Sequence, residues 1–220
     1  ELGILTTDKS EDGTIHITME VAEQCIQKRA IRYDKSGDNH YDTVSAFIKS
    51  MRGSDPDAAL YYLAKMLYAG ESVEFIARRI MISAAEDVGM ADPNALTVAV
   101  SAANAVHQIG MPEAKIILAE AVVYMATAPK SNASYMGLEK AMSAVQNTKI
   151  SGIPVHLMDA HYKGAAKLGH GDGYKYAHDY ENHYVNQQYL PDELVNEVFY
   201  NPGDLGYEVK VKEHFKKIKG

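Results

Sequence analysis

Four basic side chains are the residues of this sequence best suited to contact phosphate groups. Lys49 and Arg52 lie near the end of one predicted helix, and Arg78 and Arg79 are consecutive in another. Lysine and arginine neutralise backbone phosphates and hold a protein on DNA without reading its base sequence. The same residues can instead form salt bridges on a solvated helix face, so both interpretations stay open. A cluster of all four on one face would favour DNA binding.

A second group of residues contains ligand types that transition metals accept. Its members are His170, Asp172, His178, Asp179 and His183. No two of the histidines have the i,i+4 spacing that places two ligands on one helix face. Polar loop surface is therefore the favoured interpretation, and we expect no metal. A metal-dependent enzyme stays an alternative that requires these histidines to converge.

The nucleotide and calcium motifs are missing or incomplete. The phosphate-binding loop G-x-x-x-x-G-K-S/T does not occur, and the glycine-rich stretch 169–175 does not follow a predicted strand. Residues 34–45 resemble a calcium loop, but its glycine falls fourth rather than sixth and Ser45 replaces the final glutamate. We therefore expect no catalytic residue and no cofactor site in this chain, which would then not be an enzyme by itself.

Charge, cysteine content and hydropathy exclude further classes of protein. The formal net charge of −7 argues against a surface dominated by phosphate contacts. Cys25 is the single cysteine, which excludes an internal disulfide framework and fits a reducing cytosol. The longest apolar stretch, 116–128, contains Glu120 and is shorter than the roughly 20 residues that span a bilayer. We expect a cytoplasmic protein that does not contact a membrane.

Capping residues, prolines and glycines divide the chain into helices. Asp55-Pro56 and Asp92-Pro93 are start signals, and Gly53, Gly70, Gly89 and Gly110 are stop signals. The expected helices run over residues 18–33, 38–52, 56–69, 72–88, 93–109, 112–128, 132–146 and 207–219. Residues 116–128 are apolar on nearly every side, so we expect them at the buried centre. The predicted fold class is all-α, a compact multi-helix array.

The chain changes character beyond residue 150. Seven of its 15 tyrosines lie between Tyr174 and Tyr207, and the stretch 171–208 has eight acidic residues against one base. Repeated glycines break the helical periodicity there, so this stretch cannot build a core of its own. We expect an irregular, tyrosine-rich extension that lies over the helices or over a neighbouring subunit.

Several long runs in this sequence resemble one family. The run from Lys28 to Asp42 closely resembles the C-terminal half of the RarA/MgsA family of AAA+ ATPases, relatives of the Werner-helicase-interacting ATPase. Further runs that are similar to the family are residues 45–46, 49–62, 76–79, 83–93, 128–132, 174–179 and 188–191. The resemblance covers nearly the whole chain.

The resemblance implies a parent ATPase whose N-terminal domain, not in this sequence, binds ATP and Mg²⁺ and responds to DNA at replication forks. Residues 1–35 would be the end of the AAA+ helical lid. Residues 36–220 would be a helical oligomerisation domain that resembles a clamp-loader collar, with the extension beginning at about 151. The family assembles as tetramers, so the expected partner is a second copy of the chain.

Two functions follow from the resemblance. The first is a tetramerisation module, which the acidic charge and the content of tyrosine and methionine favour. The alternative is a DNA-binding module of the same ATPase, acting through Lys49, Arg52, Arg78 and Arg79. DNA and fork proteins such as single-stranded-DNA-binding protein would be partners of the parent, which we expect in the cytoplasm with the nucleoid.

Overall fold

A computed structural model describes residues 38–161 and 168–219, together with Met19. Within these residues there are seven α-helices and no strand, which confirms the predicted all-α class. The helices are α1 Asp38–Arg52, α2 Pro56–Tyr68, α3 Val73–Ser83, α4 Asn94–Ile109, α5 Ala114–Thr127, α6 Ala133–Asn147 and α7 Tyr207–Lys219. The helix expected over 18–33, with Cys25, and the first residues of the calcium-like loop lie outside the described residues.

Helix starts follow the signals in the sequence. The carboxylate of Asp55 accepts a 2.9 Å hydrogen bond from the backbone N–H of Ala58, and Pro56 occupies the first turn of α2. Ser72 caps α3 in the same way, because its hydroxyl accepts from the backbone N–H of Phe75 at 3.2 Å. These caps satisfy N–H groups that have no partner inside the helix.

The helix expected over 72–88 changes type in its second half. The α-helix ends at Ser83, residues Ala84–Val88 form a π-helical turn, and Gly89–Ala91 form a 3-10 turn. The carbonyl of Asp87 accepts a 2.8 Å hydrogen bond from Ser131. A Cβ on Gly89, whose φ is +50°, would lie 2.6 Å from the carbonyl oxygen of Ser131. The close approach of residue 131 therefore accompanies the widened turn, a long-range contact that local sequence does not reveal.

The described chain forms two compact units. The first contains residues up to Ser83 and residues 97–127, and in it α5 packs against α1, α2 and α3. Its fully buried side chains include Phe47, Met51, Met66, Ile76, Ile80, Leu118 and Met125. The expectation of a buried central 116–128 helix is thus confirmed within the first unit, with two corrections: Ile116 and Val123 are 64% and 36% exposed.

The second unit contains residues 84–96 and 128–220, with α6, α7 and the extension. The end of the extension packs against the helical part of this unit, as a Cβ on Gly137 of α6 would lie 2.9 Å from the carbonyl oxygen of Phe199. Gly206, with φ +58°, passes so close to the carbonyl of Ala91 that a Cβ would lie 2.0 Å from its oxygen. Only glycine fits this position, because it needs both positive φ and no side chain.

A buried carboxylate connects the extension to α7. Glu208, in the first turn of α7, is fully buried. Its Oε1 accepts a 3.0 Å hydrogen bond from the Tyr200 hydroxyl, and its Oε2 accepts a 2.6 Å bond from the backbone N–H of Gly203. A buried carboxylate is stable only with such partners, so these bonds hold the end of the extension in place.

None of the helices in the two described ranges is long and apolar enough to cross a bilayer.

Candidate functional site

Arg78 and Arg79 share one aromatic ring on α3. The guanidinium carbon of Arg79 lies 4.9 Å from the centroid of the Phe75 ring, and that of Arg78 lies 5.9 Å away. Both distances fall in the range of attractive cation–π contacts. Arg78 is exposed, whereas Arg79 is half-buried and its Nε has no hydrogen-bond partner. Arg79 therefore packs as part of the helix surface, and Arg78 is the arginine open to solvent.

The same ring connects the arginines to the beginning of α1. The Phe75 ring centroid lies 5.8 Å from that of His40, and Nδ1 of His40 lies 3.0 Å from Oε2 of Glu71. Lys49 and Arg52 are exposed in the last turn of α1 instead. At about 1.5 Å per residue, Lys49 is roughly 13 Å along the helix from His40. The structure thus groups the two arginines with the first turn of α1, and the other two basic residues with its last.

An acidic neighbour reduces the positive charge around Arg78. Glu74 precedes Arg78 by one helical turn, and the Ser72 hydroxyl donates a 2.6 Å hydrogen bond to its carboxylate. This hydrogen bond, then one from the backbone N–H of Glu74, and to a smaller extent the charges of His107 and Arg78 lower the pKa of Glu74 below its usual value. The negative charge of Glu74 therefore offsets part of the positive charge of Arg78, whose guanidinium lies over the Phe75 ring. DNA binding through the four basic residues stays a prediction.

Two histidines of the extension have neighbouring rings. The rings of His178 and His183 have centroids 4.8 Å apart, and Tyr176 lies against His178 at 5.1 Å. Across residues 38–161 and 168–219, no group of three or more potential ligands is arranged to hold a metal ion. A zinc site requires four ligands, or three with an open position. The described geometry therefore gives the metal-dependent alternative no support.

Exposed apolar side chains are the most prominent feature of the second unit. On α6 they form a line that we call the α6 stripe. It consists of Tyr135, Leu138, Met142 and Val145, with exposed fractions of 43%, 61%, 48% and 71%. Successive members are three or four residues apart, so they lie on one side of the helix. Gly137 is the buried residue of α6. Sequence reasoning missed the stripe, although its heptad-like spacing was present in the sequence.

The extension also carries exposed tyrosine rings. Tyr174, Tyr176, Tyr180 and Tyr189 are all exposed, whereas Val185 and Leu194 are buried. Gln187 orders part of the loop, because its side-chain amide bonds the backbone of Lys175 at 3.2 and 2.8 Å and the Tyr189 hydroxyl at 2.9 Å. The rings are therefore presented by an ordered loop and not by a packed core. Exposed aromatic rings on an ordered backbone are typical of protein–protein interfaces.

Two family models match this chain. The model described as MgsA AAA+ ATPase C terminal matches residues 53–219, and the one described as AAA C-terminal domain matches residues 1–52.

Similar proteins occur in bacteria and in a eukaryote. The chain is 48% identical over 219 residues to the replication-associated recombination protein A of Bacillus subtilis (strain 168), covering 99% of this chain and 52% of that protein. It is 40% identical over 204 residues to the protein of the same name in Escherichia coli (strain K12), covering 92% and 46%. It is 36% identical over 187 residues to the ATPase WRNIP1 of Dictyostelium discoideum, covering 84% and 21%. The chain therefore spans about half the length of these two bacterial relatives.

Proposed function

Because the chain belongs to the MgsA AAA+ ATPase C-terminal family, we propose that it is the self-associating module of a longer ATPase. In this proposal four copies assemble through their C-terminal regions and hold the ATPase domains of the parent together. Residues 1–35 end the helical lid of the ATPase, and residues 36–220 form the oligomerisation domain. The parent binds ATP and Mg²⁺ in its own N-terminal domain and acts on DNA during replication and recombination in the cytoplasm.

The observation that carries the proposal is the apolar surface of the described chain. Large apolar residues are exposed in both units, among them Ile109, Met111 and Ile116 in the first. In the second unit the α6 stripe and the tyrosines of the extension are exposed. Groups of exposed large apolar residues favour interaction sites, because water disfavours apolar surface. A closed tetramer with dihedral symmetry needs more than one self-complementary surface on each copy of the chain. Exposed apolar residues in both compact units of the chain support this requirement.

The mass of the chain in solution tests self-association directly. A tetramer of the 24.2 kDa chain has a mass of about 97 kDa. We expect light scattering coupled to size exclusion to give this mass without ATP or DNA, and to fall towards the monomer only on strong dilution. A mass near that of the monomer at tens of micromolar would contradict the proposal.

Removal of chain ends provides a second test with a built-in control. A chain that ends before Tyr174 lacks the exposed tyrosines and also the Tyr200–Glu208 contact. A chain that ends before Lys210 keeps these residues and loses all five lysines of α7. We expect the longer deletion to weaken assembly more than the shorter one. Equal mass distributions for the two truncated chains would show that the extension does not contribute.

DNA binding is the second candidate function, since Arg78 presents an exposed guanidinium above Phe75. Such a contact would be weak and salt-sensitive because phosphate contacts release counterions. Fluorescence anisotropy with labelled single-stranded DNA measures the affinity. The salt concentration is varied from about 50 to 200 mM, the range in which such contacts weaken. Loss of binding when Lys49, Arg52, Arg78 and Arg79 are replaced by alanine would support these four residues. Tight binding that survives both the replacements and the salt would exclude them.

A further inference from the structure

We infer that α6 pairs with α6 of a second copy through the α6 stripe, around a two-fold axis. The inference rests on the proposed self-association and names the surface that performs it. It also predicts which substitutions separate the copies while leaving each chain folded.

The position of the stripe on the helix shows that it is unpartnered within the second unit. At about 100° per residue, the stripe centres roughly 120° around the helix from the buried Gly137. Gly137 faces the backbone of Phe199, so this side of α6 is the one covered by the extension. The stripe lies on a different side, with its four members 43–71% exposed. Large parts of its four side chains are therefore left open to solvent by the chain itself.

The spacing of the stripe specifies a helix as its partner. Tyr135, Leu138, Met142 and Val145 follow each other at intervals of three, four and three residues. This is the a/d spacing with which one helix inserts side chains into the gaps of another. A peptide in extended conformation presents side chains with a period of two and would not match it. The stripe thus fits a helix that repeats its own pattern.

Charge makes a second copy of α6 a suitable partner. The two charged residues of α6, Glu139 and Lys140, are adjacent and lie outside the stripe. Two identical surfaces can meet only if neither carries a buried charge that the copy would repel. The stripe meets this requirement because its four side chains are uncharged. A partner with a strongly acidic or basic helix would find no complementary charge there.

The size of the stripe makes it the centre of an interface and not the whole of it. From Tyr135 to Val145 it extends about 15 Å along α6, whereas a standard interface covers roughly 800 Å² on each partner. Ile153 and Val155, 62% and 51% exposed, follow α6 in the same unit and add apolar area. Interface energy concentrates in such central apolar residues. Substitutions in the stripe should therefore have large effects on association.

A charge-swap experiment on the full chain tests the pairing. One variant carries Leu138→Glu and Met142→Glu, and another carries Leu138→Lys and Met142→Lys. Each variant places like charges opposite each other, whether the two helices run parallel or antiparallel. Each variant alone should therefore weaken association by at least about 30-fold, which is the effect of losing one interface hot spot. A 1:1 mixture should recover at least about tenfold of this loss, because Glu then faces Lys. The matched control is Ser143→Lys, at an exposed polar residue of α6 that lies roughly 120° around the helix from the centre of the stripe.

The outcomes separate this inference from the proposed function. Association constants come from sedimentation equilibrium, and circular dichroism checks that each variant is folded. Dissociation of both charged variants, recovery in the mixture and an unchanged control would support α6 pairing. If the wild type assembles and the charged variants assemble equally well, the inference fails and the proposed function stands. If both variants dissociate and the mixture does not recover, the stripe contacts some other surface and the inference also fails. A monomeric wild type contradicts the proposed function itself.

Discussion

Replacement of Tyr200 by phenylalanine tests whether the buried carboxylate of Glu208 holds the extension onto the second unit. The substitution removes one hydroxyl and keeps the ring, so packing around it changes little. The lost hydrogen bond is the 3.0 Å bond to Oε1 of Glu208, which is 0% exposed. The N–H of Gly203 would then be the remaining hydrogen-bond donor to this carboxylate among the contacts described above.

The expected cost follows from the charge and burial of the acceptor. Hydrogen bonds to charged groups contribute about 1.5–3 kcal/mol, and a buried acceptor that loses its donor cannot turn to water instead. We therefore expect Tyr200→Phe to lower the free energy of unfolding by about 2 kcal/mol. For a chain of this size this corresponds to a decrease in melting temperature of roughly 4–8 °C. The matched control is Tyr207→Phe, which removes a hydroxyl from an exposed ring and should change stability by less than about 0.5 kcal/mol.

Thermal and urea unfolding measure this contact. They are compared for the wild type, for Tyr200→Phe and Glu208→Gln, for the double variant that combines these two, and for the control Tyr207→Phe. If the two side chains interact, their separate effects should not add in the double variant. Equal stability of Tyr200→Phe and Tyr207→Phe, or strict additivity with Glu208→Gln, would refute the hydrogen bond as a source of stability.

The contact also predicts how stability depends on alkaline pH. Burial, then the hydrogen bond to Glu208 and its negative charge, raises the pKa of Tyr200 from 10.0 to about 12. Between these values the unfolded chain has lost the proton and the folded chain still holds it. The contribution of Tyr200 is therefore complete below about pH 10 and is lost as the pH rises to about 12. The stability difference between the wild type and Tyr200→Phe should shrink over this interval; a constant difference would contradict the raised pKa.

Three other predictions concern packing and activity. Gly206→Ala should destabilise the chain strongly in thermal unfolding, because its Cβ would meet the Ala91 carbonyl oxygen at 2.0 Å. The control Gly70→Ala is also at positive φ but would have nothing within 4 Å of its Cβ, so it should lower the free energy of unfolding by only about 1 kcal/mol. Met125→Ala should cost about 2–5 kcal/mol because the side chain is fully buried in α5, and Ile116→Ala, exposed on the same helix, should cost far less. Purified chain should release no phosphate from ATP with or without single-stranded DNA, and DNA-stimulated hydrolysis in a coupled assay would contradict this.

Helix positions could be predicted from the sequence because their end signals are local. Asp55-Pro56 shows why: both the cap and the fixed φ of proline act within one turn, and the structure has α2 starting at Pro56. The π-helical turn at Ala84–Val88 could not be predicted in this way. It accompanies a hydrogen bond between Asp87 and Ser131, residues that the sequence separates by more than 40 positions. The Tyr200–Glu208 contact is hidden for a related reason, since a glutamate in a first helical turn is ordinarily a surface residue.

The basic residues and the α6 stripe show opposite limits of reading function from sequence. Lysine and arginine are visible as residue types, yet their contribution depends on neighbours: Phe75 supports Arg78 and Arg79, and Glu74 offsets part of their charge. Residue types alone do not reveal the stripe, because a leucine or methionine such as Leu138 or Met142 in a helix is ordinarily a core residue. Its meaning appears only when the structure shows that Gly137 faces the extension and the stripe does not. An apolar heptad pattern on a helix whose buried side is elsewhere favours a partner from outside the unit. An uncharged surface with the spacing of its own helix is matched by a copy of itself, and this match is the reason that we propose α6 as the surface of self-association.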